Sequence, residues 1–181
     1  MKRTTITTPF YALGTLCLIY CIVAIALRYN PSRLSFVGYA PPKQTAQTRR
    51  TTQSSPNRLI IESASIDIPI MQTQTLDSLD VSINSAVHMQ QSPTPGAYGN
   101  SIVFGHNWNS ILGNLTSVRP GDTITVHLDN GSREHFEVQA IDEVANDAVE
   151  VLGPTADKRL TIYTCSGLFD QNRFVVSSVK I

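Results

Sequence analysis

The chain has 181 residues and a formal net charge of zero, but this neutrality hides two differently charged parts. Residues 1–57 contain seven lysines and arginines and no acid, whereas residues 58–181 contain the other seven and all fourteen acids. A basic segment beside an apolar stretch favours an anionic membrane surface as its partner. The acidic remainder has no basic face studded with aromatic residues, which argues against a nucleic-acid-binding protein.

The first predicted element is an apolar helix over residues 10–27, eighteen positions without a charge. At about 1.5 Å rise per residue, it nearly spans a hydrocarbon core of roughly 30 Å. We therefore expect a transmembrane anchor, preceded by a cytoplasmic N-terminus at residues 1–9. A cleaved secretory signal is the alternative, since Ala24-Ile25-Ala26 imitates a small-x-small cleavage site. Both interpretations export the rest of the chain, although the basic flanks on either side leave the orientation open.

Residues 28–57 are rich in Thr, Gln, Ser and Pro and show no sustained apolar period. This composition predicts a flexible linker between the membrane and a domain. The domain itself is expected over residues 58–181, a length that can bury one hydrophobic core.

From Arg58 onward, apolar residues recur with a period near two between turn signals, which is typical of β-strands. Asn130-Gly131 predicts a tight hairpin, with Ile124, Val126 and Leu128 on one inward face and Phe136, Val138 and Ala140 on the other. Apolar residues recur every three or four positions, as in a helix, only at residues 76–87 and 111–118. Seven or eight short strands in about 125 residues predict a mainly β domain, either a small barrel or a sandwich. The predicted strands read "RLIIES" (58–63), "SIDIPIM" (65–71), "SIVFGH" (101–106), "DTITVHL" (122–128), "REHFEVQAIDEV" (133–144), "RLTIYTC" (159–165) and "RFVVSSVKI" (173–181).

Cys165 ends one of these strands and is the only cysteine outside the apolar N-terminal stretch. A cysteine by itself is usually a small buried hydrophobe. In an exported domain, however, cysteines normally pair, and Cys17 and Cys21 lie in the predicted membrane helix. The leftover thiol is therefore a candidate nucleophile.

A cysteine nucleophile needs a proton carrier, and the chain offers four histidines. His127 and His135 fall on the polar faces of the predicted hairpin, where solvated side chains are expected. His88 precedes a loop rich in Pro and Gly and suits either packing or a site. His106 ends an apolar strand just after Gly105, and its position makes it the best candidate.

Arg173 opens the last strand, eight residues after Cys165. Antiparallel neighbours joined by such a connection can place the guanidinium beside the thiol, where its donors would hold an oxyanion or a substrate carbonyl. An ion pair with Asp170 within the turn explains the same spacing, so the segment alone leaves both readings open.

Taken together, "FGHNW", "LTIYTC" and "NRFVV" resemble the sortase family of bacterial cell-surface cysteine transpeptidases. The family pattern is a histidine that closes a strand, a Thr-Leu-x-Thr-Cys-like strand end, and an arginine that opens the next strand. Here Ile162 stands where Leu is usual. His106 precedes Cys165 by 59 residues and Arg173 follows it by eight. The resemblance covers roughly residues 58–181.

The resemblance implies a closed eight-stranded β-barrel with one or two short helices. It implies that Cys165 attacks a carbonyl in a C-terminal sorting signal of a secreted protein and forms a thioester. An amine on a cell-wall precursor, a pilin or another acceptor then resolves this acyl-enzyme. His106 would be the general acid and base, and Arg173 would stabilise the oxyanion or the substrate. Thr164 and the backbone N–H after Cys165 would be further oxyanion donors, with His88 as an accessory residue.

Departures from the family patterns bear on the class. The linker contains no aspartate, so the lid with an Asp-aromatic plug of pilin-polymerising sortases is not expected. The dozen residues before "RLTIYTC" are too few for the long inserted helix of class B. A single-domain enzyme closer to classes A, D, E or F is the resulting expectation. No cofactor is expected; calcium is the one candidate, because some relatives bind it near an acidic loop such as that of Asp142, Glu143, Asp147, Glu150 and Asp157, but the oxygen spacing matches no defined calcium loop.

Two other functions fit the sequence. A thiol hydrolase would use the same three residues and release its product to water. A membrane-anchored β-barrel scaffold or adhesion module would carry an inert Cys165. A transpeptidase transfers the acyl group to an added amine, whereas a thiol hydrolase does not. A reactive Cys165 thiol would distinguish either enzyme from the non-catalytic scaffold.

Overall fold

The computed structural model describes residues 7–28, 34–38, 54–73 and 84–181. The chain divides into two compact units, Met1–Pro31 and Ser32–Ile181, of which the first contains the helix and the second contains the strands. The elements are α1 (Thr7–Arg28), β1 (Pro56–Ile61), β2 (Ile66–Thr73), β3 (Ala86–Met89), β4 (Gly99–Phe104), β5 (Thr123–Leu128), β6 (Arg133–Ala145), β7 (Lys158–Ser166) and β8 (Asn172–Lys180). Short 3-10 helices lie at Glu62–Ala64, Gly113–Ser117, Val149–Leu152 and Leu168–Asp170.

Helix α1 contains the whole apolar stretch predicted at residues 10–27. Within the part of the chain that the structure describes, however, no helix combines the length and the apolar character that crossing a membrane requires. The expected transmembrane anchor is therefore not supported.

The eight strands form a closed barrel in the order β1-β2-β3-β4-β7-β8-β6-β5. Pairing of β5 with β1 closes it. The pairs β2–β3 and β4–β7 are parallel, which brings strands distant in sequence side by side. The mainly β fold and the closed eight-stranded barrel are thus confirmed.

The barrel interior is filled by the apolar side chains that alternate along the strands. On the β5–β6 hairpin, the predicted inward residues Ile124, Val126 and Phe136 are fully buried. The prediction that Ala140 also faces inward is wrong, because Ala140 is exposed. The register of β6 against β8 shifts between Val138 and Ala140, and one extra residue in a strand reverses the face of every later side chain.

The two predicted helical stretches have different outcomes. Residues 111–118 do contain a short helix, of the 3-10 type, at Gly113–Ser117. The stretch 76–87 lies mostly outside the described residues, and its last two positions, Ala86 and Val87, belong to β3. A strand this short shows too few residues for its alternation to be read.

A second apolar cluster lies outside the barrel, on the outer faces of β3, β4, β7 and β8. We call the part supplied by these strands the outer patch; it consists of Val87, Met89, Ile102, Phe104, Tyr163, Cys165 and Val175. Leu34 and Phe36 pack against it and are themselves 1% and 3% exposed. Residues 34–38, which lie within the expected linker, therefore pack on the strands; the linker as a whole stays a prediction.

Candidate active site

Cys165 lies near the end of β7, on the outer face of the barrel. Successive strand residues point to opposite faces, so Tyr163 and Cys165 share the outer patch, while Ile162 points into the core. The thiol is 5% exposed and forms no disulfide. The sequence-based expectation of a thiol at a strand end is met, with the added finding that it is covered.

Arg173 stands directly opposite Cys165 in the antiparallel β7–β8 register. Residues in this relation have Cα atoms about 4.5–5.5 Å apart and side chains on the same face. Arg173 is 1% exposed. Its Nη1 donates to the backbone carbonyls of Asp170 and Asn172, each at 2.8 Å. The guanidinium is thus buried and oriented on the thiol's side of the sheet.

His106 follows β4, the other neighbour of β7. The parallel register aligns Phe104 with Tyr163, and the Gly105 N–H donates to the Tyr163 carbonyl at 3.3 Å. Continuing this register places His106 at the level of Cys165. The described ends of β4, β7 and β8 therefore bring His106, Cys165 and Arg173 to one edge of three adjacent strands.

The environment of His106 sets its protonation state. Its ring stacks on Trp108, with centroids 4.5 Å apart and an interplanar angle of 9°. Burial lowers the pKa of His106 below the usual value of 6.5, and the negative charge of Asp170 partly opposes this shift. The lowered pKa favours the neutral imidazole, which is able to accept a proton. Sequence reasoning missed Trp108, although it stands two residues after the histidine in the quoted motif.

Gly105 lets two core side chains pack closely against the backbone before His106. A Cβ there would meet Ile111 Cγ2 at 3.0 Å and Leu112 Cδ1 at 3.2 Å. Ile111 and Leu112 therefore pack directly against the backbone that precedes His106.

Thr164 lies next to Cys165 in β7 and links this strand to the end of β4. It alternates with Tyr163 and Cys165 and so points to the opposite face of β7. Its hydroxyl donates to the Gly105 carbonyl at 2.8 Å, and a hydroxyl has a single proton to give. In this structure Thr164 thus fixes the β4 end, and with it His106, against β7; its role as an oxyanion donor stays a prediction.

His88 does not join the other three residues. It alternates with Val87 and Met89 of the outer patch and so faces the interior, away from Cys165. Its Nε2 lies 3.2 Å from the Pro93 carbonyl oxygen and 3.3 Å from the hydroxyl oxygens of Ser92 and Ser101. Burial lowers the pKa of His88 to about 4. The side chain is a buried neutral histidine, which the expectation of an accessory site residue did not anticipate.

This shifted pKa predicts an acid-sensitive fold. The unfolded chain binds a proton at His88 below pH 6.5, whereas the folded chain does so only below about 4. Stability is therefore complete above pH 6.5 and falls as the pH drops from 6.5 towards 4, by about 3 kcal/mol in all. Urea unfolding at several pH values measures this loss. His88→Gln is the matched variant, and an equally steep pH dependence in that variant would contradict the assignment.

The acidic residues considered for calcium do not form a site. Among the described residues, no three His, Cys, Asp or Glu side chains are grouped closely enough to hold a metal ion. Glu143 instead accepts hydrogen bonds from Ser166 Oγ at 3.0 Å and from Asn172 Nδ2 at 3.1 Å. Asp157 pairs with Arg159 at 2.8 Å. These residues do not fit calcium, and no step of the chemistry is assigned to it.

Residues 34–38 make three contacts near the site that no sequence pattern indicates. Arg173 Nη2 donates to the Ser35 carbonyl at 2.7 Å. The Phe36 ring meets Tyr163 edge-on at 5.0 Å and lies 5.6 Å from the Arg173 guanidinium carbon. No hydrophobic period marks this stretch, so only the folded chain reveals it.

Comparison with protein families agrees with this geometry. The model of the sortase domain matches residues 59–181. Sortase A of Bacillus anthracis is 27% identical over 124 residues, which cover 66% of this chain. The match spans 57% of that relative's length.

Solved structures of similar fold come from several sortase classes. The sortase D5 transpeptidase of Clostridium perfringens is 24% identical, with a TM-score of 0.61 over 70% of this chain and 79% of that one. A lid mutant of sortase A from Corynebacterium diphtheriae is 19% identical, with a TM-score of 0.63 over 88% of this chain and 94% of that one. Sortase C1 of Streptococcus agalactiae, also a lid mutant, is 19% identical, with a TM-score of 0.63 over 80% and 78%. These likenesses establish the fold and leave the class open.

Proposed function

Because this chain belongs to the sortase family, we propose that it is a cysteine transpeptidase that cleaves a C-terminal sorting signal and transfers the acyl group to an amine. One observation carries the assignment of residues: Arg173 is the cross-strand partner of Cys165 on the outer face. A buried guanidinium directly opposite a thiol stabilises a thiolate nucleophile and the oxyanion that its attack creates. An inert structural cysteine does not require a cation beside it.

The first half-reaction forms the acyl-enzyme. Cys165 Sγ attacks the scissile carbonyl carbon as neutral His106 takes the thiol proton. The Arg173 guanidinium and the N–H of Ser166 stabilise the tetrahedral oxyanion. His106 gives its proton to the leaving nitrogen, the carbon–nitrogen bond breaks, and a thioester remains on Cys165.

The second half-reaction returns the enzyme to its starting state. An acceptor amine attacks the thioester carbonyl, and His106 takes the proton that the amine loses. The carbon–sulfur bond breaks, an amide forms, and the proton returns from His106 to the thiolate. Stacking on Trp108 holds the imidazole in the orientation that all four transfers require.

The partners follow from this chemistry. The acyl donor is a secreted protein with a C-terminal sorting motif, and the acceptor is an amine on a cell-wall precursor, a pilin or a similar molecule. Sortases are generally membrane-associated enzymes of the cell surface, and we propose the same location, outside the cytoplasmic membrane, for this domain. The single-pass arrangement with the N-terminus inside stays a prediction.

Partition between an amine and water tests the proposal. We expect the full chain, incubated with C-terminal peptides of secreted proteins, to gain the mass of an acyl group on the peptide containing Cys165. Added oligoglycine or a diamine should convert the thioester to an amide at the expense of hydrolysis. Intact-protein and product mass spectrometry measure both.

Each alternative has its own signature in the same experiment. A thiol hydrolase gives the acyl-enzyme but ignores the added amine. A non-catalytic scaffold forms no acyl-enzyme, and its Cys165 reacts with a thiol probe no faster than other buried thiols do.

A further inference from the structure

The start of β3 brings a serine to the level of the candidate active site. The antiparallel β3–β4 register pairs Val87 with Phe104. Continuing this register by two residues towards the site places Ser85 opposite His106. Because β4 lies between β3 and β7 in the barrel, His106 has Ser85 on one side and Cys165 on the other.

Ser85 and His106 share the outer face of the barrel. Ala86 belongs to the core and Val87 to the outer patch, so Ser85 points outwards by alternation. His106 follows Gly105, where a Cβ would meet core side chains, and therefore also points outwards. Cross-strand neighbours on one face have Cβ atoms about 4.5–5.5 Å apart, a separation that lets a hydroxyl meet an imidazole.

The Ser85 hydroxyl is buried without a hydrogen bond. Ser85 is 2% exposed, and within the described part of the chain its Oγ has no donor or acceptor as a partner. Three other buried serines, Ser92, Ser101 and Ser178, each have a partner for the hydroxyl. Burying an unpaired hydroxyl costs free energy. An orphan hydroxyl beside a reactive group therefore points to a partner that forms during the reaction.

The proposed reaction supplies such a partner. A neutral imidazole carries one N–H, whereas the imidazolium that forms when His106 takes the thiol proton carries two. One of these protons goes to the leaving nitrogen, and the other N–H needs an acceptor away from Cys165. Stacking on Trp108 restrains the plane of the ring, but only a hydrogen bond fixes which nitrogen carries the proton. The Ser85 hydroxyl can accept this bond.

We infer that Ser85 is a positioning residue whose hydroxyl bonds the ring nitrogen of His106 that faces away from Cys165. The inference rests on the proposed function. Ser85 accepts a hydrogen bond and neither gains nor loses a proton, so His106 remains the group that moves the proton between the thiol and the leaving nitrogen. The site is thus a row of four side chains on four adjacent strand ends: Ser85, His106, Cys165 and Arg173.

Ser85→Ala tests this in the full chain, and Ser178→Ala is the matched control. Ser178 is also buried, but its hydroxyl donates to the Leu160 carbonyl at 2.9 Å. We expect Ser85→Ala to lower kcat about tenfold with KM unaltered, because the lost hydrogen bond forms only after the substrate has bound. Its urea midpoint should not fall, since the removed hydroxyl has no partner. Ser178→Ala should show the reverse, a lower midpoint and an unaltered kcat.

Ser85→Thr keeps the hydroxyl and should retain most of the activity. If Ser85→Ala does not fold, Ser85→Cys replaces the hydroxyl with a weak acceptor of similar size and gives the same comparison. An unaltered kcat in a folded variant that lacks the hydroxyl would overturn the inference.

Nitrogen NMR of the His106 ring tests the contact without turnover. Loss of an acceptor for the imidazolium should shift one ring nitrogen in Ser85→Ala and lower the pKa of His106 below that in the unaltered chain. Ser178→Ala should change neither. The other ionisable groups at this edge stay the same in both variants: Cys165, Asp170 and Arg173.

The two readouts separate this inference from the proposed function. Ring signals of His106 that are identical in Ser85→Ala and in the unaltered chain would overturn the contact. If the ring signals change as expected but no peptide forms an acyl-enzyme, the proposed function fails and the contact between Ser85 and His106 stands.

Discussion

Alanine in place of Cys165 abolishes acyl-enzyme formation with every peptide that the unaltered chain accepts. Cys165 carries the one thiol among the outer-patch side chains, and no other group there can form a thioester, so the expected loss is complete rather than partial. Intact-protein mass spectrometry after mixing with peptide measures the thioester directly. The fold should survive, since the change removes one sulfur atom from a position that already holds a small side chain.

Cys17→Ala is the matched control for this experiment. Cys17 is a second cysteine without a disulfide, but it lies in α1 and is exposed. Its loss should leave acylation unchanged. Retained activity in Cys165→Ala would remove the central residue of the proposed mechanism.

Arg173→Ala should lower kcat/KM by about 10²–10³-fold, the usual effect of removing one oxyanion donor. It should also destabilise the domain by about 3 kcal/mol, because the carbonyls of Ser35, Asp170 and Asn172 lose a buried donor. Steady-state kinetics at a temperature well below the melting point, together with urea unfolding, measure the two effects separately. Arg173→Lys keeps the charge without the fork and should recover only part of the activity.

Arg159→Ala provides the comparison at an arginine outside the site. Arg159 also lies on a barrel strand, but its side chain is 35% exposed and pairs with Asp157. Its removal should cost less than about 1 kcal/mol and leave kcat/KM unchanged. Similar losses in the two alanine variants would mean that Arg173 acts through stability alone.

The strand pattern and the order of the site residues were predictable because both depend on local sequence. The alternation of apolar and polar residues predicted β5 and β7. The Gly105-His106 pair at the end of an apolar strand indicated the edge of the sheet where the site lies. Pairing of β7 with β8 then required only a short connection, which places Arg173 opposite Cys165.

Other features depend on contacts that no local pattern encodes. The register shift next to Ala140 reflects how β6 meets β8. The docking of Leu34 and Phe36 depends on an outer patch assembled from four strands. The interior direction of His88 follows from the register of β3, a strand of four residues that the sequence did not reveal.

The parallel pairing of β4 with β7 has a consequence for how the domain acquires its chemistry. His106 and Cys165 are 59 positions apart, and the whole β5–β6 hairpin is formed between them. The chain loses the conformational entropy of closing this long loop before the contacts between β4 and β7 can compensate for it. Such non-local pairing is therefore slow. The hairpin is local in sequence, while the thiol gains its proton carrier only when β4 pairs with β7. A nascent chain thus carries a cysteine without a base until this long-range pair has formed.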